Sequence, residues 1–89
     1  MKISLEKQEK ISEQIILLLY SNTPKTLFTA HIAREIARDE EFVKRLLLNL
    51  KKRKIVNEIN KNPKGIKYLR RSRWKLTDAA YNIYKKQQF

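Results

Sequence analysis

The chain opens on a segment whose apolar residues recur with the spacing of an α-helix. Between Leu5 and Tyr20 this stripe consists of Ile11, Ile15, Leu18 and Leu19. Glutamates lie early in the segment, where the positive end of a helix dipole favours acids. The last turns place further apolar residues around the circumference, namely Ile16, Leu17 and Tyr20. Because one neighbour cannot bury apolar residues on every side, this first helix is expected to be central or to meet a partner chain.

Two shorter helices follow, separated by a tight break. Residues 26–29 form a short β-prone stretch, and Thr29 is expected to cap a second helix from Ala30 to Ala37. The buried positions of that helix are predicted to be Ile32 or Ala33, Ile36 and Ala37. Asp39 can then cap a third helix. Its apolar positions repeat at i, i+3, i+4 and i+7, as Val43, Leu46, Leu47 and Leu50.

A hairpin and a closing helix complete the pattern. Residues 55–59 are typical of a strand, and residues 62–65, Asn-Pro-Lys-Gly, suit a type I turn. The return strand includes Trp74 and Leu76 on one face, and its greater length predicts a longer loop or a bulge at residues 70–72. Thr77 and Asp78 cap the last helix, which has Tyr81 on its flank and an inward face of Ala80, Ile83 and Tyr84.

This order of helix, short strand, two helices, strand, wing, strand and helix resembles the winged helix-turn-helix domain. The resemblance is carried by residues 32–37 as the first helix of the motif, Val43, Leu46 and Leu50 as buried positions of a recognition helix, 54–56 as the wing entry and 74–78 as the wing exit. It implies a mainly α fold with a small β-hairpin (α+β). One domain is expected over residues 1–89, with the wing at about residues 57–73.

Two features depart from the usual pattern of that family. Lys54 stands where glycine is usual, so the third helix is expected to end without a left-handed residue or to extend further. Glu40 and Glu41 open the recognition helix with acids, which oppose contact with phosphate. Either they stabilise the helix start and pair with Lys44 and Arg45, or Glu41 accepts a hydrogen bond from a cytosine amino group.

Length and composition limit the possible classes of protein. Eighty-nine residues with 42% apolar content suffice for one modest core, and the absence of cysteine excludes disulfides and thiolate metal sites. Neither a run of about 20 apolar residues nor a signal-peptide pattern is present, so a cytoplasmic, nucleoid-associated protein is expected. There is no Ser/His/Asp set, glycine-rich phosphate loop or second acidic cluster. Neither an enzyme nor a metal or cofactor site is therefore expected.

Charge is distributed unevenly along the chain. The formal net charge is +12, yet residues 1–43 hold six Lys/Arg and seven Asp/Glu, whereas residues 44–89 hold fifteen and two. The positive excess therefore lies on the third helix, the hairpin and the closing helix. A basic helix beside a basic hairpin is typical of a surface that binds a polyanion, and nucleic acid is the first candidate.

The predicted contacts with DNA fall into three groups. On the outer face of the third helix they are Glu41, Lys44, Arg45, Leu48, Asn49 and Lys52. On the wing, for the minor groove or its phosphates, they are Lys61, Lys64, Lys67, Arg70, Arg71 and Arg73. Around the second helix, for the DNA backbone, they are Thr29, His31 and Arg34.

Each of these signals also has a simpler structural interpretation. The basic helix face is alternatively a solvated surface. Leu48 touches a thymine methyl group, packs on a partner, or is one of the exposed apolar side chains found on any surface. Trp74 is expected in the core rather than stacked on a base, because it shares a face with Leu76. His31 lacks a second histidine or a cysteine for metal binding, and is interpreted as a surface residue near phosphate.

Together these features favour sequence-directed binding of double-stranded DNA by a transcriptional regulator. A homodimer is expected, with half-sites about 34 Å apart and a surface formed by Ile16, Leu17, Tyr20, Tyr81 and Tyr84. No small-molecule effector is expected in a chain of this length. Two alternatives stay open: an RNA-binding ribonucleoprotein component, which uses shape and phosphate contacts, or a winged helix that binds proteins through apolar surface.

Overall fold

Four helices and three short strands make up residues 4–60 and 72–87, which the computed structural model describes. In chain order they are α1 (Leu5–Asn22), β1 (Leu27–Phe28), α2 (Thr29–Glu35), α3 (Glu40–Lys52), β2 (Val56–Ile59), β3 (Arg73–Leu76) and α4 (Asp78–Gln87). This succession confirms the predicted order. The predicted turn at 62–65 lies outside the described residues, as do residues 70 and 71 of the predicted bulge.

The three strands form one antiparallel sheet with β3 in the middle, in the order β1-β3-β2. Trp74 on β3 lies opposite Leu27 of β1 and Glu58 of β2, and Leu76 lies opposite Val56. Trp74 and Leu76 are both buried, which confirms that they share the inner face of the sheet. Because directly opposed residues of neighbouring strands lie on the same face, Glu58 is on this inner face as well.

The core lies between α1, α3 and the inner face of the sheet, and α1 packs against both α3 and β3. The prediction of a central first helix is therefore correct. It also explains one error: Ile16, predicted on a dimer surface, is only 4% exposed and belongs to the core. The prediction for Ile83 on α4 is wrong in the opposite sense, since Ile83 was predicted to face inward and is 56% exposed.

Side chains close the start of three helices. Ser4 caps α1 by accepting a hydrogen bond from the Lys7 N–H, and Asp39 caps α3 by accepting one from the Phe42 N–H, both at 3.2 Å. Thr77 accepts from the Ala80 N–H at the same distance at the start of α4. The caps by Asp39 and Thr77 were predicted from the sequence, whereas α1 runs two residues beyond its predicted end at Tyr20.

The predicted cap of α2 by Thr29 is wrong. The helix begins at Thr29 itself, and Phe28 at its N-cap position makes no side-chain cap bond. The Thr29 hydroxyl instead lies 2.7 Å from Nε1 of Trp74 and accepts its hydrogen bond in the core. A buried indole N–H needs an acceptor, and Thr29 supplies it. The hydroxyl is therefore turned away from solvent and is removed from the predicted contacts with the DNA backbone.

Helices α2 and α3 are each followed, two residues after their last residue, by a residue of left-handed conformation that is not glycine. Ala37 has φ 55° and Lys54 has φ 62°. After each of these helices two backbone hydrogen bonds satisfy the last carbonyls, from Ala37 and Arg38 in the first case and from Lys54 and Ile55 in the second. This is the Schellman arrangement. The expectation that Lys54 leaves α3 without a left-handed residue was therefore wrong, because lysine itself takes that role.

Replacing Lys54 by glycine is expected to stabilise the protein. The left-handed conformation costs a residue with a Cβ about 1–2 kcal/mol, and glycine avoids this cost. Glycine also has greater conformational freedom in the unfolded chain, which offsets part of the gain in stability. The free energy of unfolding of Lys54→Gly, measured with urea, is expected to rise by about 0.5–1 kcal/mol. Lys54→Ala removes the same charge and keeps the Cβ, so it serves as the control. An equal gain in both variants would assign the effect to charge and contradict the prediction.

Candidate nucleic-acid interface

The outer face of α3 is the main candidate site. Its six predicted contact residues are all exposed: Glu41, Lys44, Arg45, Leu48, Asn49 and Lys52. The opposite face is anchored in the core by four buried side chains, Val43, Leu46, Leu47 and Leu50. The helix is thus fixed from within, and its polar face is presented to solvent. Leu48, with 42% exposure, is a surface residue in the middle of that face.

After its acidic first turn, the exposed residues of α3 form two neighbouring rows. Lys44, Leu48 and Lys51 follow one another at i, i+4 and i+7, whereas Arg45, Asn49 and Lys52 form the adjacent row with the same spacing. The first row ends beside the sheet, since its last residue, Lys51, contacts Glu58 of β2. Lys51 was not among the predicted contact residues. Its position one turn after Leu48 could have indicated it.

Charge changes sign along α3. Glu40 and Glu41 lie in its first turn, and Lys51 and Lys52 in its last, so the side chains complement the helix dipole at both ends. The predicted pairing of the two glutamates with Lys44 and Arg45 is not formed. Within residues 4–60 and 72–87 the ion pairs are His31 with Glu35, Lys51 with Glu58 and Arg53 with Glu9.

Glu58 forms a small polar cluster at the root of the wing. Its Oε1 accepts a hydrogen bond from Nζ of Lys51 at 2.8 Å, and its Oε2 accepts one from Oγ of Ser72 at 2.5 Å. Burial raises the pKa of the Glu58 carboxyl, but these two hydrogen bonds and the positive charges of Lys51 and Lys44 outweigh it. The pKa of Glu58 is therefore held below its ordinary value of 4.5.

Glu58 is not among the contact residues predicted from the sequence, although two signals pointed to it. It is one of only two acids among residues 44–89, where fifteen residues are basic. It is also two residues from Val56, so it shares the face of the strand that Val56 buries. An acid at an inward strand position within a basic region requires partners, because a buried carboxylate without them is costly.

The ionised Glu58 predicts a pH dependence of stability. Because its pKa is lower in the folded protein than in the unfolded chain, its stabilising effect is complete above about pH 4.5 and is lost as the pH falls through the folded value. The difference in free energy of unfolding between the wild type and Glu58→Gln is expected to shrink between about pH 7 and about pH 3 in urea titrations. Glu13→Gln, which changes an exposed residue of α1, is the control. A constant difference for Glu58→Gln would contradict the prediction.

Few of the predicted wing contacts can be placed. Lys61, Lys64, Lys67, Arg70 and Arg71 lie outside the described residues. Arg73 is half-buried on β3, and its guanidinium carbon lies 5.3 Å from the ring centroid of Phe28, its cross-strand neighbour. Arg73 thus packs at the pairing of β1 with β3, and its contact with DNA stays a prediction.

Two of the three residues predicted around the second helix are exposed. His31 and Arg34 lie three positions apart on α2 and therefore on neighbouring parts of its surface. Nε2 of His31 is 3.6 Å from a carboxylate oxygen of Glu35, so this part of α2 also carries an acid. Thr29 is buried and bonded to Trp74, as described above.

The predicted dimer surface is only partly available. Tyr20 of α1 and Tyr81 of α4 stack on each other within the subunit, with ring centroids 5.2 Å apart, and Tyr84 is half-buried. Leu17 is 45% exposed. It lines an open groove of about 450 Å³ between α1 and α2, together with Gln14, Leu18, Ser21, Glu35, Ile36 and Ala37.

Among residues 4–60 and 72–87, no group of three or more His, Cys, Asp or Glu side chains is arranged to hold a metal ion. No helix in the same part of the chain has the length and apolar character needed to cross a membrane.

The described elements have the winged helix-turn-helix fold: α2 and α3 form the motif, and β2 and β3 form the base of the wing. No family model matches the chain, and neither does any curated protein. MepR from S. aureus, solved in complex with DNA, is similar with a TM-score of 0.74 and 21% identity over 93% of this chain and 65% of that one.

Two further solved structures are similar. The Zalpha domain of PKZ from Carassius auratus, in complex with Z-DNA, has a TM-score of 0.62 and 27% identity over 80% of this chain and 98% of that domain. The transcriptional regulator PcaV from Streptomyces coelicolor, in complex with its natural ligand, has a TM-score of 0.65 and 17% identity over 83% of this chain and 48% of that one. The chain thus spans less than two thirds of MepR and of PcaV.

Proposed function

We propose that this protein binds double-stranded DNA in a sequence-directed way and regulates transcription. The observation that carries the proposal is the outer face of α3, whose exposed Lys44, Arg45, Asn49 and Lys52 are fixed in place by a buried apolar stripe. The similarity to MepR in complex with DNA and to a Zalpha domain in complex with Z-DNA supports the same function.

The size and chemistry of α3 suit the major groove. The helix has 13 residues and is therefore about 20 Å long, and the major groove, about 12 Å wide, admits a helix. Arg45 and Asn49 carry the fork-shaped groups that make paired hydrogen bonds to guanine and adenine, respectively. Lys44 and Lys52 flank them and are suited to phosphate. In this arrangement His31 and Arg34 of α2 contact the DNA backbone.

A two-fold partner is part of the proposal. Leu17 and the groove that it lines are the exposed apolar surface of the predicted dimer set, whereas Tyr20 and Tyr81 of that set stack on each other. Ile16 no longer belongs to that surface. The absence of a small-molecule effector stays a prediction; PcaV, which is similar in fold, was solved in complex with its natural ligand.

The test is selection of preferred sites from random duplex DNA at physiological salt. Enrichment of one motif is expected, as an inverted repeat with half-sites about 34 Å apart if the protein acts as a dimer. The logarithm of affinity is expected to fall with the logarithm of salt concentration with a slope of about −4 to −5 per monomer, for about five phosphate contacts. Sedimentation at micromolar concentration tests the dimer separately.

Competitors distinguish the other ways of binding. A structured RNA that displaces the selected duplex at equal concentration would favour the ribonucleoprotein alternative. A duplex held in the left-handed form tests the mode of the Zalpha complex. Weak, salt-insensitive binding to all of these would favour a protein-interaction winged helix. Failure to enrich any motif would contradict sequence-directed binding.

A further inference from the structure

We propose that Glu58 is a positioning residue that sets the orientation of β2 and β3, the base of the wing, relative to α3, and thereby the selectivity of DNA binding. This inference rests on the proposed function. Glu58 is not itself a DNA contact in the proposed function, because its carboxylate would repel phosphate and its side chain is only 13% exposed. Its effect on DNA binding is expected to act through α3, β2 and Ser72, which its hydrogen bonds join.

The position of Glu58 is unusual for a carboxylate. It lies opposite Trp74 on the inner face of the sheet, two residues from the buried Val56, where an apolar side chain would pack. Removing a carboxylate from water is costly unless hydrogen bonds and opposite charges offset the loss. Glu58 retains its charge at this site, since its pKa is lowered rather than raised. A charged group held in this way orients its partners more narrowly than an apolar contact does.

The contacts of Glu58 join three segments of the fold. One oxygen accepts from Lys51 in the last turn of α3, and the other accepts from Ser72, which immediately precedes β3. Glu58 itself lies on β2. Glu58 and Ser72 thus flank the segment between β2 and β3, and Lys51 links both to the recognition helix. A change in the tilt of the hairpin relative to α3 must break or lengthen at least one of these hydrogen bonds.

Glu58 also affects the row of α3 that ends beside the sheet. Lys51 is 50% exposed, and its ammonium is bound to Glu58 instead of being free for phosphate. Lys44, the first residue of that row, lies close enough for its charge to lower the pKa of Glu58. Simple electrostatics and positioning therefore predict opposite results when this negative charge is removed. Electrostatics predicts tighter binding to any DNA, whereas positioning predicts weaker binding to the preferred site.

The test compares Glu58→Gln with the wild type on the selected duplex and on a scrambled duplex. The variant is expected to bind the selected site about tenfold more weakly while its affinity for the scrambled duplex stays equal or rises. The slope of the logarithm of affinity against the logarithm of salt concentration is expected to steepen by the amount that corresponds to about one phosphate contact, because Lys51 is released to bind phosphate. A merely structural role of Glu58 would not produce this steeper dependence.

Asp78→Asn is the matched control. Asp78 is the other acid of residues 44–89 and is exposed in the first turn of α4, so this variant gains the same charge without touching the cluster. It is expected to bind both duplexes equally or slightly more tightly. Glu58→Gln binding the selected site as tightly as Asp78→Asn, with unchanged selectivity, would overturn the inference.

Ser72→Ala keeps the experiment decisive if Glu58→Gln does not fold. It removes one hydrogen bond and leaves the Glu58 to Lys51 pair in place. A smaller loss of selectivity, about threefold, with an unchanged salt dependence is expected. Unchanged selectivity in a folded Ser72→Ala would overturn the inference. Absence of any preferred site in the wild type would instead contradict the proposed function, so the two failures are distinguishable.

Discussion

Replacing Trp74 by alanine is expected to remove a large part of the stability of the fold. Trp74 is fully buried at the centre of the sheet, between Leu27 of β1 and Glu58 of β2. Loss of its ring leaves a large cavity and costs about 3–5 kcal/mol, out of a total of about 5–15 kcal/mol for a typical domain. The free energy of unfolding from urea titration, or the midpoint of thermal unfolding, measures the change.

Two further variants separate packing from hydrogen bonding at Trp74. Thr29→Val retains the shape of the side chain and leaves the indole N–H without its acceptor, so a loss of about 1–3 kcal/mol is expected. Lys75→Ala changes an exposed neighbour on β3, and its effect is expected to stay within about 0.5 kcal/mol. A loss below about 1 kcal/mol for Trp74→Ala would contradict the central position of this residue.

Replacing Arg45 by alanine is expected to weaken binding to the selected DNA site by about 10-fold to 100-fold, which corresponds to about 1–3 kcal/mol for one paired base contact. Arg45 is exposed in the middle of α3, in the row that also contains Asn49 and Lys52. Selectivity is expected to relax at one base pair, where a second selection with the variant protein would find several bases accepted. Titration of labelled duplexes at fixed salt measures the affinity.

Lys86→Ala is the control for the loss of charge. Lys86 is exposed in the last turn of α4 and lies outside the α3 face. Lys86 is expected to contribute only to the general attraction of DNA, which salt screens over about 10 Å, so an affinity change below about threefold is expected. Equal losses in the two variants would show that only total charge matters and would contradict base reading by Arg45.

The helical part of the fold could be predicted because it follows from local periodicity. The spacing of Val43, Leu46 and Leu47 defined the buried stripe of α3, and its exposed face followed as the complement. Asp39 and Thr77 were recognisable as caps, because a cap acts on a backbone N–H only three residues away. The exposure of the predicted α3 contact residues could therefore be predicted from the sequence.

The errors arose where a distant contact decides the outcome. Thr29 has the features of a cap, but its hydroxyl accepts a hydrogen bond from Trp74, which lies 45 residues further along the chain. In α4, a helix of ten residues, more than one apolar stripe can be drawn, and packing against Tyr20 favours the one that contains Tyr81 rather than Ile83. Local sequence patterns do not show which distant residue will contact a given side chain in the fold.

The partners of Glu58 could not be predicted, because they depend on hairpin register and on the packing of α3 against β2. Lys51, Glu58 and Ser72 are separated in sequence by 7 and 14 residues; the packing of α3 against β2 brings Lys51 to Glu58, and the pairing of β2 with β3 brings Ser72 to it. The turn chemistry of residues 62–65 left that register open, since a one-residue slip moves every side chain to the other face. For the same reason the composition of the chain indicated a polyanion partner but no internal polar link.

The burial of Trp74 has a practical consequence for all of these measurements. It is the sole tryptophan of the sequence, it is fully buried, and its Nε1 is bonded inside the core, away from the outer face of α3. Its fluorescence emission should shift to longer wavelength when the core opens to water, yet it should stay in place when a duplex occupies that outer face. One optical signal in the unlabelled protein can therefore tell a variant that has lost its DNA contacts from a variant that has lost its fold.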